Sequence, residues 1–230
     1  MCNNFISVCF GKRKYLVKWN HEIPYINGDI IASRRSDQRL LIYEFKRIVQ
    51  FINYKWKESI ISPLTITLGD EFQGLLKDME SCYKVVFEIE EFIIENELNI
   101  KLRYVMNYGS IETPINRNIA YEMLGDGLTQ AREQLNKLKS GINRFLVLSG
   151  KKQKATIAIN DLFMIYESYI DSWKLNEYKM VTQFLKVKDY KIVASNLDMN
   201  RSSTWRRYKG LHIEEYNITK SLILILNKGL

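Results

Sequence analysis

The sequence is short of the residues that build disulfide-stapled, zinc-holding and membrane-spanning proteins. Its 230 residues include three cysteines, two histidines and three prolines. Cys2, Cys9 and Cys82 are odd in number and scattered, which suits a reduced compartment and shows no metal-thiolate spacing. His21 and His212 lie far apart in sequence and near no carboxylate cluster, so zinc chemistry is not expected. No window reaches the ~20 uninterrupted apolar residues that span a bilayer. No tract is biased enough to be a linker, a repeat array or a disordered tail. The opening residues carry their charges after the apolar stretch and lack a small-residue cleavage pattern, unlike a secretory signal. A cytoplasmic protein with no membrane partner is expected.

What is present is a globular composition, 46% hydrophobic and 26% charged, with a net charge of +8. The charge is local. Residues 11–20, with Lys12, Arg13, Lys14 and Lys18, carry +4, residues 186–210 carry +5, and the remainder is close to neutral. Such concentration points to polyanion-facing patches rather than a generally sticky surface.

Strand-like and helix-like segments alternate from residue 22 onward. IPYINGDII reads as a strand. Residues 36–58 place Leu40, Leu41, Ile42, Phe45, Ile48, Val49, Ile52 and Trp56 at the spacing of a helix with one buried face. Two strand-like runs, 64–68 and 72–76, hinge at Gly69-Asp70-Glu71 as a hairpin. A helix over 78–97, an alternating strand over 99–109, a helix stopped at Gly141 and a strand over 143–150 follow. This order predicts an α+β fold, a ferredoxin-like sheet with helices on one face, the frame of palm domains. The texture changes after Gly150. The expected divisions are a basic leader (1–21), a palm domain (22–151), a helical connector (152–176) and a helix-turn-helix domain (177–230).

Asp29 ends the first strand, and Asp70 and Glu71 sit in the turn that such a sheet brings beside it. Close carboxylates repel unless a cation lies between them or one is protonated. Hard oxygen ligands at strand ends suit Mg²⁺ or Mn²⁺ holding a nucleoside triphosphate. A polar hairpin turn and a helix cap would use the same residues.

INGDIIAS (26–33), TLGDEFQG (67–74), RYVMNYGSIET (103–113) and YEMLGDGLTQAREQL (121–135) resemble, in order, four motifs of class III nucleotidyl cyclases, and the hairpin is similar to that of GGDEF-type diguanylate cyclases. The resemblance implies that Asp29, Asp70, Glu71 and the Ile30 carbonyl hold the metal. It also implies that Glu122, Gly125, Asp126, Thr129 and Arg132 lie along the ATP or GTP. The chain departs from those families at Ile66, where an adenine-selecting lysine is usual, and at Thr129 and Glu133, which replace an asparagine and an arginine. An anion there opposes the charge stabilisation of phosphoryl chemistry, so the resemblance implies binding more than cyclisation. GDIIASR (28–34), GDEFQG (69–74) and a helix-turn-helix tail together resemble the SatD family of small prokaryotic proteins along nearly the whole chain.

DYKIVASNLDMNRSSTWRRYKG (189–210) has the build of a helix-turn-helix: Ile192, Val193 and Leu197 apolar, Ala194 small, Asn200 able to cap a second helix. Arg201, Ser202, Ser203, Thr204, Arg206, Arg207 and Lys209 are the expected DNA contacts, with Trp205 and Tyr208 packed inward. A basic helix packed as a cap against the palm is the alternative. The apolar stretch 218–226 is expected to pack on the domain or on a twin chain, and a homodimer would supply two half-sites. The expected function is a transcriptional regulator in which a nucleotide- and Mg-binding palm controls the DNA-binding tail. The alternatives are an active nucleotidyl cyclase, or a DNA-binding protein that keeps the palm as scaffold.

Overall fold

The computed structural model describes residues 6–10, 13–17, 21–31, 37–67, 69–149 and 153–228. Cys2, Lys12, Lys18, Ala32, Ser33, Arg34 and Gly150, named above, lie outside them, as do the boundary residues 151 and 152. The expected leader contains two short antiparallel strands, β1 (Ile6–Phe10) and β2 (Arg13–Val17), paired only with each other.

The main sheet has five strands: β3 (His21–Ile30), β4 (Ile60–Ile66), β5 (Glu71–Leu76), β6 (Leu102–Ile111) and β7 (Phe145–Ser149), in the spatial order β4-β5-β3-β6-β7. β3 lies antiparallel to both β5 and β6, and β7 joins β6 in parallel. Together with α1 (Gln38–Lys55) and α2 (Met79–Glu95), strands β3 to β6 form the βαββαβ unit of a ferredoxin-like fold. Aspartates cap both helices: Asp37 accepts from the Arg39 amide and Asp78 from the Ser81 amide.

Strand alternation assigns the two faces of the sheet. Ile26, Ile30, Tyr104, Met106, Phe145 and Val147 point into a core with α1, α2 and α4 (Gln153–Ser172). Ile23, Tyr25, Leu75 and Val105 point the other way, into a smaller core with Ala131 and Leu135 of α3 (Asp126–Leu138). The expectation of helices on one face is therefore corrected. The loop after β6 carries α3 to the opposite side, because Ala131 and Leu135 can be buried only against the second set of strand side chains.

Both sheet edges are closed by an asparagine reaching in from a helix. Asn53 of α1 donates to the Leu64 carbonyl (2.9 Å) and accepts from the Leu64 amide (2.8 Å) on edge strand β4. Asn160 of α4 donates to the Val147 carbonyl (2.9 Å) and accepts from its amide (2.8 Å) on edge strand β7. Each side-chain amide imitates a further strand and blocks edge-to-edge pairing at that point.

Four further α-helices follow among the described residues: α5 (Tyr178–Lys186), α6 (Tyr190–Asn196), α7 (Arg201–Gly210) and α8 (Ile213–Lys228). The buried apolar cluster runs without a break from the sheet through Phe163 and Tyr166 of α4 into Phe184, Val193, Leu211, Tyr216 and Ile223. Trp173 donates its indole N–H to the Leu211 carbonyl (2.8 Å), tying α4 to the α7–α8 junction. Ion pairs Lys186–Glu95 and Lys220–Glu91 tie α5 and α8 to α2. On α8, Ile223 is buried, whereas Ile218, Leu222 and Ile225 are exposed. No helix among the described residues is long and apolar enough to cross a membrane.

Candidate functional site

The face of the sheet under α3 carries a polar stripe. β3 contributes Tyr25, Asn27 and Asp29; their register partners are Leu75, Gln73 and Glu71 on β5, and Asn107, Val105 and Arg103 on β6. The hairpin joining β4 to β5 turns at Gly69, whose φ of +85° is a conformation that favours glycine. That turn places Asp70 beside the end of β3, where the Ile30 amide donates to the Asp70 carbonyl at 2.9 Å.

Asp29 is 2% exposed. Arg103 Nη1 donates to its Oδ2 at 2.6 Å, and Lys139 Nζ stands 3.5 Å from its Oδ1. The same ammonium donates to Glu71 Oε1 at 2.7 Å. Burial raises the Asp29 pKa against the pull of Lys139 and Arg103, and the Asp70 charge adds to the rise. Burial opposes the Lys139 charge, yet bonding to Glu71 and the nearby Asp29 carboxylate leave its pKa above the ordinary value. Two carboxylates from adjacent strands thus share a cation of the chain itself. Ile30 projects to the other face and is buried in the main core.

Next to this cluster lies a cleft of about 410 Å³ between the stripe and the 121–132 segment. Asn27, Glu71 and Gln73 line its sheet side, and Glu122, Gly125, Thr129 and Arg132 line the other. Gly125 caps α3 and Gly127 lies on the β6 backbone: a Cβ on Gly127 would come within 2.7 Å of the Ser110 nitrogen. That close approach brings the helix start down onto the strand. Glu122 holds φ +60°, exposed at the rim. Thr129 and Arg132, three positions apart on α3, share the cleft-facing side with Leu128. Asp126 is exposed at the first turn of the helix, and Glu133 is exposed one position beyond Arg132.

The polar floor is tightly paired, with one exception. Tyr25 donates its hydroxyl to the Gly127 carbonyl and accepts from Asn107, while Gln73 donates to the Ala120 carbonyl. Asn27 is 6% exposed, and its Oδ1 has no hydrogen-bond partner. A buried unsatisfied carbonyl costs on the order of 1–3 kcal/mol.

Metal ligation is a separate matter. Among the described residues no three His, Cys, Asp or Glu side chains group to hold an ion. Both Asp29 oxygens face cations and Glu71 shares one of them, so the acid cluster as it stands does not fit a divalent ion, which needs carboxylate oxygens to itself.

In the tail, Asn200 caps α7, accepting from the Ser202 amide at 2.8 Å. Arg201, Ser202 and Arg206 are exposed, and Ser203 is half-buried. Thr204, expected among the DNA contacts, is fully buried with its hydroxyl donating to the Asn200 carbonyl at 3.0 Å; it faces the protein because α6 packs on that side of α7. Trp205, expected inward, is 40% exposed, with Lys209 over its ring. Arg207 pairs with Glu177 (2.5 Å) and Lys209 with Glu214 (2.9 Å).

Sequence reasoning missed Arg103, Lys139 and Asn27. Arg103 was legible: it alternates with Leu102 and Tyr104 and so shares a sheet face with Asp29. Lys139 carries no local signal, because only the placement of α3 across the sheet brings its side chain back to β3.

No curated protein matches the chain. Structures similar to parts of it include a bacterial light-regulated adenylyl cyclase (12% identity, TM-score 0.43), where the match covers 57% of this chain and 44% of that one. Others are the guanylyl cyclase domain of the RhoGC fusion protein from the aquatic fungus Blastocladiella emersonii (16%, 56% and 81%, TM-score 0.42) and an adenylate cyclase of Trypanosoma brucei (14%, 57% and 77%, TM-score 0.42). This chain thus spans less than half of the light-regulated cyclase. The profile of the SatD family matches residues 24–224, from the first strand of the main sheet through most of the last helix, and the chain belongs to that family.

Proposed function

We propose that the cleft beneath α3 binds a nucleoside triphosphate and that the helical tail binds DNA, making the chain a nucleotide-responsive regulator. The observation that carries the reading is Asn27: a buried carboxamide without a partner for its oxygen, on the floor of a cleft whose other wall holds Glu122, Thr129 and Arg132. The cleft falls within the ~300–1,000 Å³ range of small-molecule sites. Arg132 is the cation facing the phosphates. Arg201 and Arg206, exposed and in the first two turns of α7, face the DNA with Ser202 and Ser203. The continuous core between sheet and tail supplies a path by which the ligand favours one tail arrangement, as regulation requires.

Calorimetry with ATP and GTP in the presence of Mg²⁺ tests the cleft, and anisotropy of a labelled mixed-sequence duplex at several salt concentrations tests the tail. Asn27→Ala should weaken nucleotide binding by about tenfold. Arg206→Ala should make the salt dependence of DNA binding shallower by about 0.9 in log–log slope. Absence of binding by either nucleotide removes the sensor, and DNA curves unchanged by nucleotide remove the coupling.

One observation favours a second reading, turnover. Arg132 rather than the anionic Glu133 lines the cleft, which supports a cation beside the phosphates. In that reading the ribose 3′-oxygen bonds to the α-phosphorus as the α–β phosphoanhydride bond breaks, pyrophosphate leaves and the hydroxyl proton passes to water. Mass spectrometry of ATP and GTP incubated with the protein and Mn²⁺ separates the two: intact triphosphates exclude turnover.

A further inference from the structure

The acids beside the cleft are already matched by cations of the chain itself. Arg103 Nη1 holds Asp29 Oδ2 at 2.6 Å, and Lys139 Nζ stands 3.5 Å from Asp29 Oδ1 and 2.7 Å from Glu71 Oε1. Two carboxylates therefore face two cations, and both oxygens of Asp29 are taken. Asp70, in the adjoining turn, is not without a partner either. Among the described residues, three charged side chains line the cleft: Glu71, Glu122 and Arg132. Glu122 is exposed at the rim, where water and salt screen its charge. Glu71 is buried on the floor, so it is the acid best placed to repel a phosphate, and it is the one that Lys139 neutralises.

We propose that the cleft binds its nucleotide as the metal-free anion, with Arg103 and Lys139 supplying the neutralisation of Asp29 and Glu71 that a divalent ion would otherwise supply. The inference rests on the reading of the cleft as a nucleotide site, and it departs from the Mg²⁺ that the cyclase resemblance implies. Arg132 meets the phosphates by charge-assisted hydrogen bonds, and Lys139 keeps Glu71 from repelling them. A divalent ion carried in on the phosphates finds both Asp29 oxygens occupied and Glu71 already neutralised, so the protein has little to add to its coordination. Its presence should change affinity little.

The test is calorimetric titration of the full chain with ATP and with GTP, once in EDTA and once in excess Mg²⁺. A nucleotide that binds should bind in EDTA no more than about threefold more weakly than in Mg²⁺. Binding that needs Mg²⁺, or gains more than about threefold from it, overturns the inference and leaves the cleft a nucleotide site. No binding under either condition removes the nucleotide reading and the inference with it. In EDTA, Lys139→Met should weaken binding about tenfold by turning an unneutralised Glu71 on the phosphates, and adding Glu71→Gln should restore it. Equal affinity in the parent protein and Lys139→Met, or a loss that Glu71→Gln does not repair, overturns the part given to Lys139. Lys139→Gln takes the place of the methionine variant if a thermal melt shows that one unfolded.

Discussion

The two faces of the central sheet come from the same strands and meet opposite fates. Under α1, α2 and α4 the strands present Ile26, Tyr104, Met106, Phe145 and Val147, and the charged cluster there has a buried centre, Arg144 with Glu90, and an outer edge at Asp171 and Lys101. Arg144, fully buried, gives its guanidinium to both oxygens of Glu90 (3.1 and 3.2 Å), to Asp171 (2.8 Å) and to the Leu102 carbonyl, while Tyr104 donates to Glu90 at 2.7 Å. Under α3 the same strands present Tyr25, Asn27, Asp29 and Arg103, and the charged cluster ends in a lysine that reaches solvent. Coverage makes the difference. Three helices pack their apolar sides over one face, whereas α3 and the loop before it leave a cleft on the other. The Arg144–Glu90 centre is packed against the Phe145 ring, whereas Glu71 of the other cluster lines the cleft.

The sharpest way to break this comparison is at the Arg144–Glu90 pair. Arg144→Met should cost about 3–5 kcal/mol by leaving Glu90 buried without its cation, read as a lower urea midpoint at unchanged slope. A change below about 1 kcal/mol would mean that water reaches Glu90 and that the two clusters are alike.

A smaller effect is expected at the seam that shapes the cleft. In Gly127→Ala the new Cβ meets the Ser110 nitrogen at 2.7 Å and the Gly109 carbon at 2.8 Å, backbone atoms that cannot step aside. A loss of about 1–3 kcal/mol is expected, with weaker nucleotide binding, by thermal melt and calorimetry. Unchanged binding would detach the cleft from the docking of α3.

The smallest effect is one of pH. The Asp29 pKa is raised in the folded protein, so between 3.8, its ordinary value, and the folded value the native state binds more protons than the unfolded one. Stability from this group is therefore full below 3.8 and falls as pH rises through the window. In Asp29→Asn that part of the slope should vanish, a change of at most about 1.4 kcal/mol per pH unit. Glu167, raised chiefly by burial, titrates in the same direction and leaves a residual slope that belongs to the other face. An identical pH profile in parent and variant would show that Asp29 titrates no differently when folded.

Much of the architecture was legible because it is written in short-range periodicity. The spacing of Leu41, Phe45, Ile48, Val49 and Ile52 makes one helical face whatever else the chain does. The alternation of Leu102, Tyr104 and Met106 makes a strand. Asp29 and Asp70 were legible as neighbours because the βαββαβ order places the first strand beside the hairpin. Thr204 was misjudged because polarity alone does not tell which side of a short helix its neighbours cover. Thr129 and Arg132 come to one side of α3 because they stand three positions apart, and that side lines the cleft.

The sequence by itself determined the elements, their order and the side of each strand on which a residue stands, since these depend on neighbours within a few positions. Only the tertiary structure decided that α3 crosses to the second face, that Asn53 and Asn160 close the sheet edges, and that Lys139 comes to rest between Asp29 and Glu71. Those contacts join residues far apart along the chain, and they arise from where whole elements can bury their apolar sides, which no local pattern encodes.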